Sequence, residues 1–150
     1  MRLREPLRGY QFLLDGVVRD PSVFEHNHLF DCLRGICSLL SLGEVRGPGA
    51  WYFPVGYSST HPKTGGVEPH ITGLVTTPAS HLVVHAYPTV GFFRLDVFSV
   101  APFEYPPLTD FVVDRLGATR TSRCAITRHD AYTPVTVMLR DNLLSMPPKF

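Results

Sequence analysis

Residues 72–100 read TGLVTTPASHLVVHAYPTVGFFRLDVFSV, and they decide how the rest of the chain is arranged. Three runs rich in β-branched and aromatic residues lie in this stretch: Thr72 to Thr77, Ser80 to Tyr87, and Phe92 to Val100. Pro78 separates the first two, and the Pro88 to Gly91 segment separates the last two. Such composition between turn residues predicts consecutive strands. The polar groups are placed unusually: Ser80 opens the middle run directly after Pro78-Ala79, and His81 and His85 follow on the same run. A hydroxyl and an imidazole are thereby held on stiff backbone, and a neutral imidazole suits proton transfer near pH 7. Simple alternation puts Ser80 and His85 on opposite sides of a regular strand. Their cooperation therefore requires a bend, a strand-end geometry, or proton transfer around the carbonyl of Ala79.

Outward from this core, Tyr10 to Val18 (YQFLLDGVV) reads as a first strand. Asp20 is placed to cap a following helix, with Pro21 at its first position. From Pro21 to about Leu42, the residues Val23, Phe30, Leu33, Cys37 and Leu40 recur at helical spacing, widened by Phe24, Ile36 and Leu39, and Gly43 offers a stop. His28 and Cys32 have the spacing of a metal-ligand pair, but the periodicity turns His28 and Asp31 away from the apolar stripe toward solvent, so no metal site is expected. Ala50 to Tyr57 reads as an aromatic edge strand interrupted by Pro54. Ser58 to Val67 is a polar loop whose Thr64-Gly65-Gly66 lacks the spacing of a phosphate loop. Pro106 to Leu116 predicts a second amphipathic helix ending at Gly117, Ala118 to Arg128 a further strand, and Tyr132 to Leu139 one more. This order predicts an α+β fold: a two-layer sandwich of a mainly antiparallel sheet with helices on one face. The uncovered sheet face calls for cover, and hence for association.

A chain of 150 residues that is 44% hydrophobic and 18% charged is expected to fold as one domain over 1–150. A net charge of +1 without a clustered basic face gives no case for nucleic acid. No apolar run approaches the roughly 20 residues that cross a bilayer, and the amino terminus lacks the apolar core of a secretory signal, so a cytoplasmic protein with no membrane partner is expected. Cys32, Cys37 and Cys124 are an odd number without CxxC spacing. They read as small apolar residues rather than disulfide or zinc ligands.

The pattern from Thr72 to Val100 resembles the core of the small prokaryotic S-adenosylmethionine decarboxylases. Thr-Gly, a short apolar strand, Ala-Ser-His, a strand ending in His-Ala-Tyr-Pro, and Gly-Phe-Phe-Arg-Leu-Asp-Val-Phe-Ser follow that family's order without a gap. The opening Gly9 to Asp15 resembles the family's first strand more loosely. The resemblance implies self-processing. The serine at the position of Ser80 attacks the preceding carbonyl, an acyl shift gives an ester, and elimination leaves a dehydroalanine that hydrolyses to a pyruvoyl cofactor. The products would be a chain ending at Ala79 and a chain starting at a modified Ser80. A ketone so made condenses with a substrate amine and acts as electron sink. His85 matches the family's processing histidine, and Thr72 replaces its assisting serine while keeping a hydroxyl. A homodimer is implied as well.

Four departures bear on the chemistry. Ala79 stands where the family has glutamate, Tyr87 replaces tryptophan, and Thr89 replaces the glutamate after it. Val100 stands where the family has the cysteine that donates a proton during decarboxylation, and a valine cannot do so. One reading is a pyruvoyl-dependent decarboxylase of polyamine biosynthesis, acting on S-adenosylmethionine or on a basic amino acid such as ornithine or arginine. Ser99, Tyr87, His81 or water would then replace the donor, with Tyr87, Ser99 and Phe12 as candidate substrate contacts. Asp15, Glu25, Glu68 and Asp96 are acidic residues that could hold a basic amine, although ordinary salt bridging or solvation is the expected fate of each. The alternative reading is an unprocessed, non-catalytic homologue that binds a ligand or a partner subunit.

Overall fold

The computed structural model describes residues 8–53, 69–128 and 136–144. These form, in chain order, β1 (Gly9–Val18), α1 (His26–Leu39), β2 (Arg46–Phe53), β3 (His70–Thr77), β4 (Ser80–Tyr87), β5 (Phe92–Ser99), α2 (Tyr105–Leu116), β6 (Ala118–Arg128) and β7 (Thr136–Leu144), with a single 3-10 turn at Pro21–Val23. The strands make one sheet in the order β2-β3-β4-β5-β1-β6-β7, with every pairing antiparallel. This is the expected two-layer α+β arrangement.

Alternation along the strands sorts the side chains onto two faces. Ser80, Leu82, Val84 and Ala86 of β4 are buried while His81, Val83, His85 and Tyr87 are not, and β5 buries Phe93, Leu95, Val97 and Ser99 in the same manner. Together with Phe12, Leu14 and Val18 of β1, these residues make the sheet side of the core. The other side comes from Leu29, Cys32, Leu33, Ile36 and Cys37 of α1 and from Leu108, Val112 and Leu116 of α2. Each such aliphatic side chain contributes roughly 1.5–3 kcal/mol on burial. Two glycines allow the layers to close: a Cβ at Gly35 on α1 would strike the Phe111 ring of α2, and one at Gly16 would strike the Phe93 ring.

The region after β1 departs from the single helix expected over 21–42. Asp20 does cap, accepting from the Ser22 N–H at 2.9 Å, but it caps only the 3-10 turn. α1 begins separately at His26 and ends at Leu39, where Ser41 at φ 52° turns the chain before Gly43. Its buried face is centred on Leu29, Leu33 and Ile36, one step round from the expected stripe, and Leu39 is exposed. His28 is not given over to solvent, because its Nε2 bonds the Arg115 carbonyl of α2 at 3.0 Å. α2 starts at Tyr105 and stops at Gly117, which adopts the left-handed cap at φ 64°. β2 and β7 are offset from their expected spans, and residues 54–57, 58–67 and 132–135 lie outside the described ones. No helix among the described residues is long and apolar enough to cross a membrane.

The Gly16 contact gives a packing test. Gly16→Ala gains roughly 0.5–1 kcal/mol of backbone entropy, but pushing the buried Phe93 ring aside costs about 1–3 kcal/mol. A net fall in the urea midpoint is expected, and an unchanged or raised midpoint contradicts this packing.

Candidate functional site

Ser80 is the first residue of β4, directly after the two-residue turn Pro78-Ala79. It lies opposite Thr77 on β3 and opposite Ser99 on β5. Its side chain is on the helix-covered face and 8% exposed, and that of Ser99 is 1% exposed. Ser80 Oγ donates to Ser99 Oγ at 3.1 Å, and Ser99 Oγ also accepts from the Ala101 N–H at 3.1 Å. The carbonyl of Ala79 accepts from the Val100 N–H at 3.1 Å. The peptide bond between Ala79 and Ser80 is thus held at its carbonyl oxygen by one donor, while the adjacent hydroxyl is held by another side chain. A fixed N–H on a carbonyl oxygen favours the negative charge that would grow there under nucleophilic attack.

The second group is on the open face. Thr72 of β3 pairs with His85 of β4, and Thr72 Oγ1 and His85 Nδ1 share a hydrogen bond of 2.9 Å whose direction depends on the imidazole tautomer. The His70 ring is 6.3 Å from that of His85 and 5.7 Å from that of Tyr87. Burial is the main cause of a lowered pKa at His85, reinforced by His70 and Arg94, so the ring is neutral at pH 7. With Nδ1–H donating to Thr72, Nε2 keeps a lone pair and can act as a base. Beside it, Arg94 faces Asp15 at 3.5 Å, and Gln11 donates to both Asp96 oxygens at 3.0 and 2.9 Å. Burial raises the Asp15 pKa, opposed by Arg94. A groove of about 630 Å3 on this face is lined by Asp15, His85, Arg94, Asp96, Ser122 and Cys124, among others.

β4 keeps an unbroken register with both neighbours. No bend therefore brings Ser80 and His85 together, and five residues of strand at about 3.3 Å each set them roughly 16 Å apart, on opposite faces. Thr72 and His85 meet, whereas Ser80 meets Ser99. Tyr87 is on the open face against His70 and Phe92. Phe12 cannot stack on a substrate ring, because it is fully buried and stacked on Tyr105 at 5.5 Å. Its position in β1 points it at the helices. Ser99 is equally enclosed and engages Ser80 rather than open solvent. The Val100 side chain is 50% exposed. Burial pushes the Cys32 thiol up to about 12 and also raises that of Cys37, so both remain protonated within the core. Glu25 is exposed at the start of α1, and Glu68 lies outside the described residues.

Two residues of the site escaped the sequence reading. Thr77 carries a buried hydroxyl opposite Ser80, with the available signal being its place at the far side of the Pro78-Ala79 turn. His70 shares the face of Thr72, two residues before it on the same strand.

Residues 52–129, more than half of the chain, match the family model described as S-adenosylmethionine decarboxylase. The chain is similar to the S-adenosylmethionine decarboxylase proenzyme of Geobacillus sp. (strain WCH70), with 31% identity over 48 residues. The matched segment is 32% of this chain and 39% of that relative, so the chain spans well under two thirds of the relative's length.

Titration by NMR tests the open-face electrostatics. His85 is expected to titrate below the ordinary value of 6.5, and Arg94→Gln to raise it without restoring it fully, since burial is the larger cause. Because the folded value is the lower one, the neutral ring favours the native state above the unfolded pKa. That contribution is lost as the pH falls from 6.5 through the folded value. A His85 that titrates at or above 6.5 contradicts the assignment.

Proposed function

The chain belongs to the S-adenosylmethionine decarboxylase family, and on that footing we propose that it cuts its own backbone between Ala79 and Ser80 and decarboxylates a small amine-bearing acid. S-adenosylmethionine, ornithine and arginine are the substrates proposed, in polyamine biosynthesis. The observation that carries the reading is the hold on one peptide bond: the Ala79 carbonyl on the Val100 N–H, and Ser80 Oγ on Ser99 Oγ, each at 3.1 Å.

The chain's own residues account for the steps. Ser80 Oγ bonds to the Ala79 carbonyl carbon, and the Val100 N–H faces the oxygen on which charge develops. Collapse breaks the C–N bond as the Ser80 nitrogen gains a proton, leaving an ester between Ala79 and Ser80 Oγ. Removal of the Cα proton of residue 80 then breaks the Cβ–Oγ bond. Residues 1–79 leave as a carboxylate, and water converts the remaining dehydroalanine to a pyruvoyl group with loss of ammonia. Neutral His85, oriented by Thr72, is the base suited to that proton. It is on the wrong face of its own chain and roughly 16 Å away, so a second copy whose open face meets the exposed Pro78-Ala79 turn at the end of β4 is proposed to supply it, giving a homodimer. The pyruvoyl ketone supplies a carbonyl that condenses with a substrate amine and draws electrons as the carboxyl departs. A buried strand mouth with a fixed second hydroxyl fits such a group. Of the groups that could replace the missing thiol at position 100, Ser99 lies directly opposite residue 80, whereas Tyr87 and His81 are on the other face.

A second reading, a non-catalytic homologue that binds a ligand or partner, is favoured by the apolar Val100 side chain. Carbon dioxide release separates the two. Release from S-adenosylmethionine, ornithine or arginine that is abolished by borohydride and by Ser80→Ala supports the enzyme, and no release from any of them supports the second reading. Co-expression of Ser80→Ala with His85→Asn chains tests the shared site. Cleavage of the His85→Asn chain in the mixture, but not alone, is expected, and cleavage in neither sinks the proposed exchange between copies.

A further inference from the structure

Ser80 is one of several hydroxyls at its end of the sheet. The register sets Thr77 of β3, Ser80 of β4 and Ser99 of β5 side by side on the helix-covered face, at 8%, 8% and 1% exposure. Ser99 Oγ accepts from Ser80 Oγ and from the Ala101 N–H. Thr77 Oγ1 is different, because among the described residues no hydrogen-bond partner reaches it. Leaving a buried hydroxyl unsatisfied costs stability. A state of the site that brought it a partner would recover that loss. The imidazoles of His81 and His85 project from the opposite face of β4, so neither is beside the Ser80 hydroxyl.

We propose, resting on the self-processing reading, that Ser99 and Thr77 carry out the ester-forming half of processing, leaving only the later elimination to His85. As Ser80 Oγ bonds to the Ala79 carbon, its proton passes to Ser99 Oγ. Ser99 gives its own proton to the departing Ser80 nitrogen, and the C–N bond breaks with its electron pair on that nitrogen. Ser99 ends as it began, and no outside reactant is consumed. Thr77 donates to Ser80 Oγ once attack has drawn that oxygen onto the Ala79 carbon, whereas in the resting chain it is out of reach.

The test uses the full chain and follows cleavage by mass, with hydroxylamine added to cut any ester that accumulates. Ser99→Ala is expected to slow cleavage about 100-fold, and to hold the chain intact and hydroxylamine-resistant, with Ser99→Thr restoring the rate. Thr77→Val is expected to slow cleavage about tenfold, the worth of one hydrogen bond, with the thermal midpoint unchanged or raised. His85→Asn is expected to stall later, as a hydroxylamine-sensitive ester. Wild-type rates in Ser99→Ala or Thr77→Val, or an ester accumulating in Ser99→Ala, would overturn the proposal. A wild-type chain that is never cut defeats the self-processing reading itself, and the relay with it.

Discussion

The antiparallel ladder between β4 and β5 holds both the sheet and the Ala79–Ser80 peptide bond. Its in-register pairing from Ser80 opposite Ser99 to Tyr87 opposite Phe92 fixes which side chains enter the core. At its end, the same ladder leaves the Val100 N–H on the Ala79 carbonyl and Ser99 Oγ on Ser80 Oγ. Neither partner is a flexible side chain reaching across solvent. One is backbone, and the other is a short hydroxyl fixed by the Ala101 N–H, so the arrangement would require little reordering for the proposed attack.

That rigidity also divides the work of the site between two faces. A regular strand cannot present residues 80 and 85 on the same side. The hydroxyls of Thr77, Ser80 and Ser99 are consequently enclosed beneath the helices, while Thr72, His85 and His70 stand on the face that carries Arg94, Asp15 and the groove. On the enclosed side the available chemistry is hydroxyl relay and carbonyl polarisation. On the open side there is a neutral base with acidic and basic neighbours. A self-cutting chain needs both, and a second copy is the proposed means of uniting them.

Much of this was legible in the sequence. The turn residues Pro78 and Gly91 and the β-branched runs between them gave the central strands to within two residues. Gly117 marked the end of α2, and Ala118 to Arg128 gave β6. The period of two also forecast the opposite placement of Ser80 and His85. Where the reading went astray, tertiary contact was the cause. A 3-10 turn interrupts the expected helix after Pro21, the α1 stripe rotates toward Leu29 so as to pack on the sheet, and His28 finds the Arg115 carbonyl from another helix. Phe12 looked available to a ligand only because sequence cannot say which face of β1 the helices cover. Thr77 gave no signal of its own, since its significance comes from the strand beside it.

The central claim is that the hold on the Ala79–Ser80 bond prepares it for cleavage by the chain itself. Intact mass under denaturing conditions, taken on the purified full chain, tests this most directly. The account predicts two products, residues 1–79 and residues 80–150, with the second lacking its amino nitrogen and reacting with a hydrazide as a ketone. A single species at 16.8 kDa with an unmodified Ser80 would contradict it.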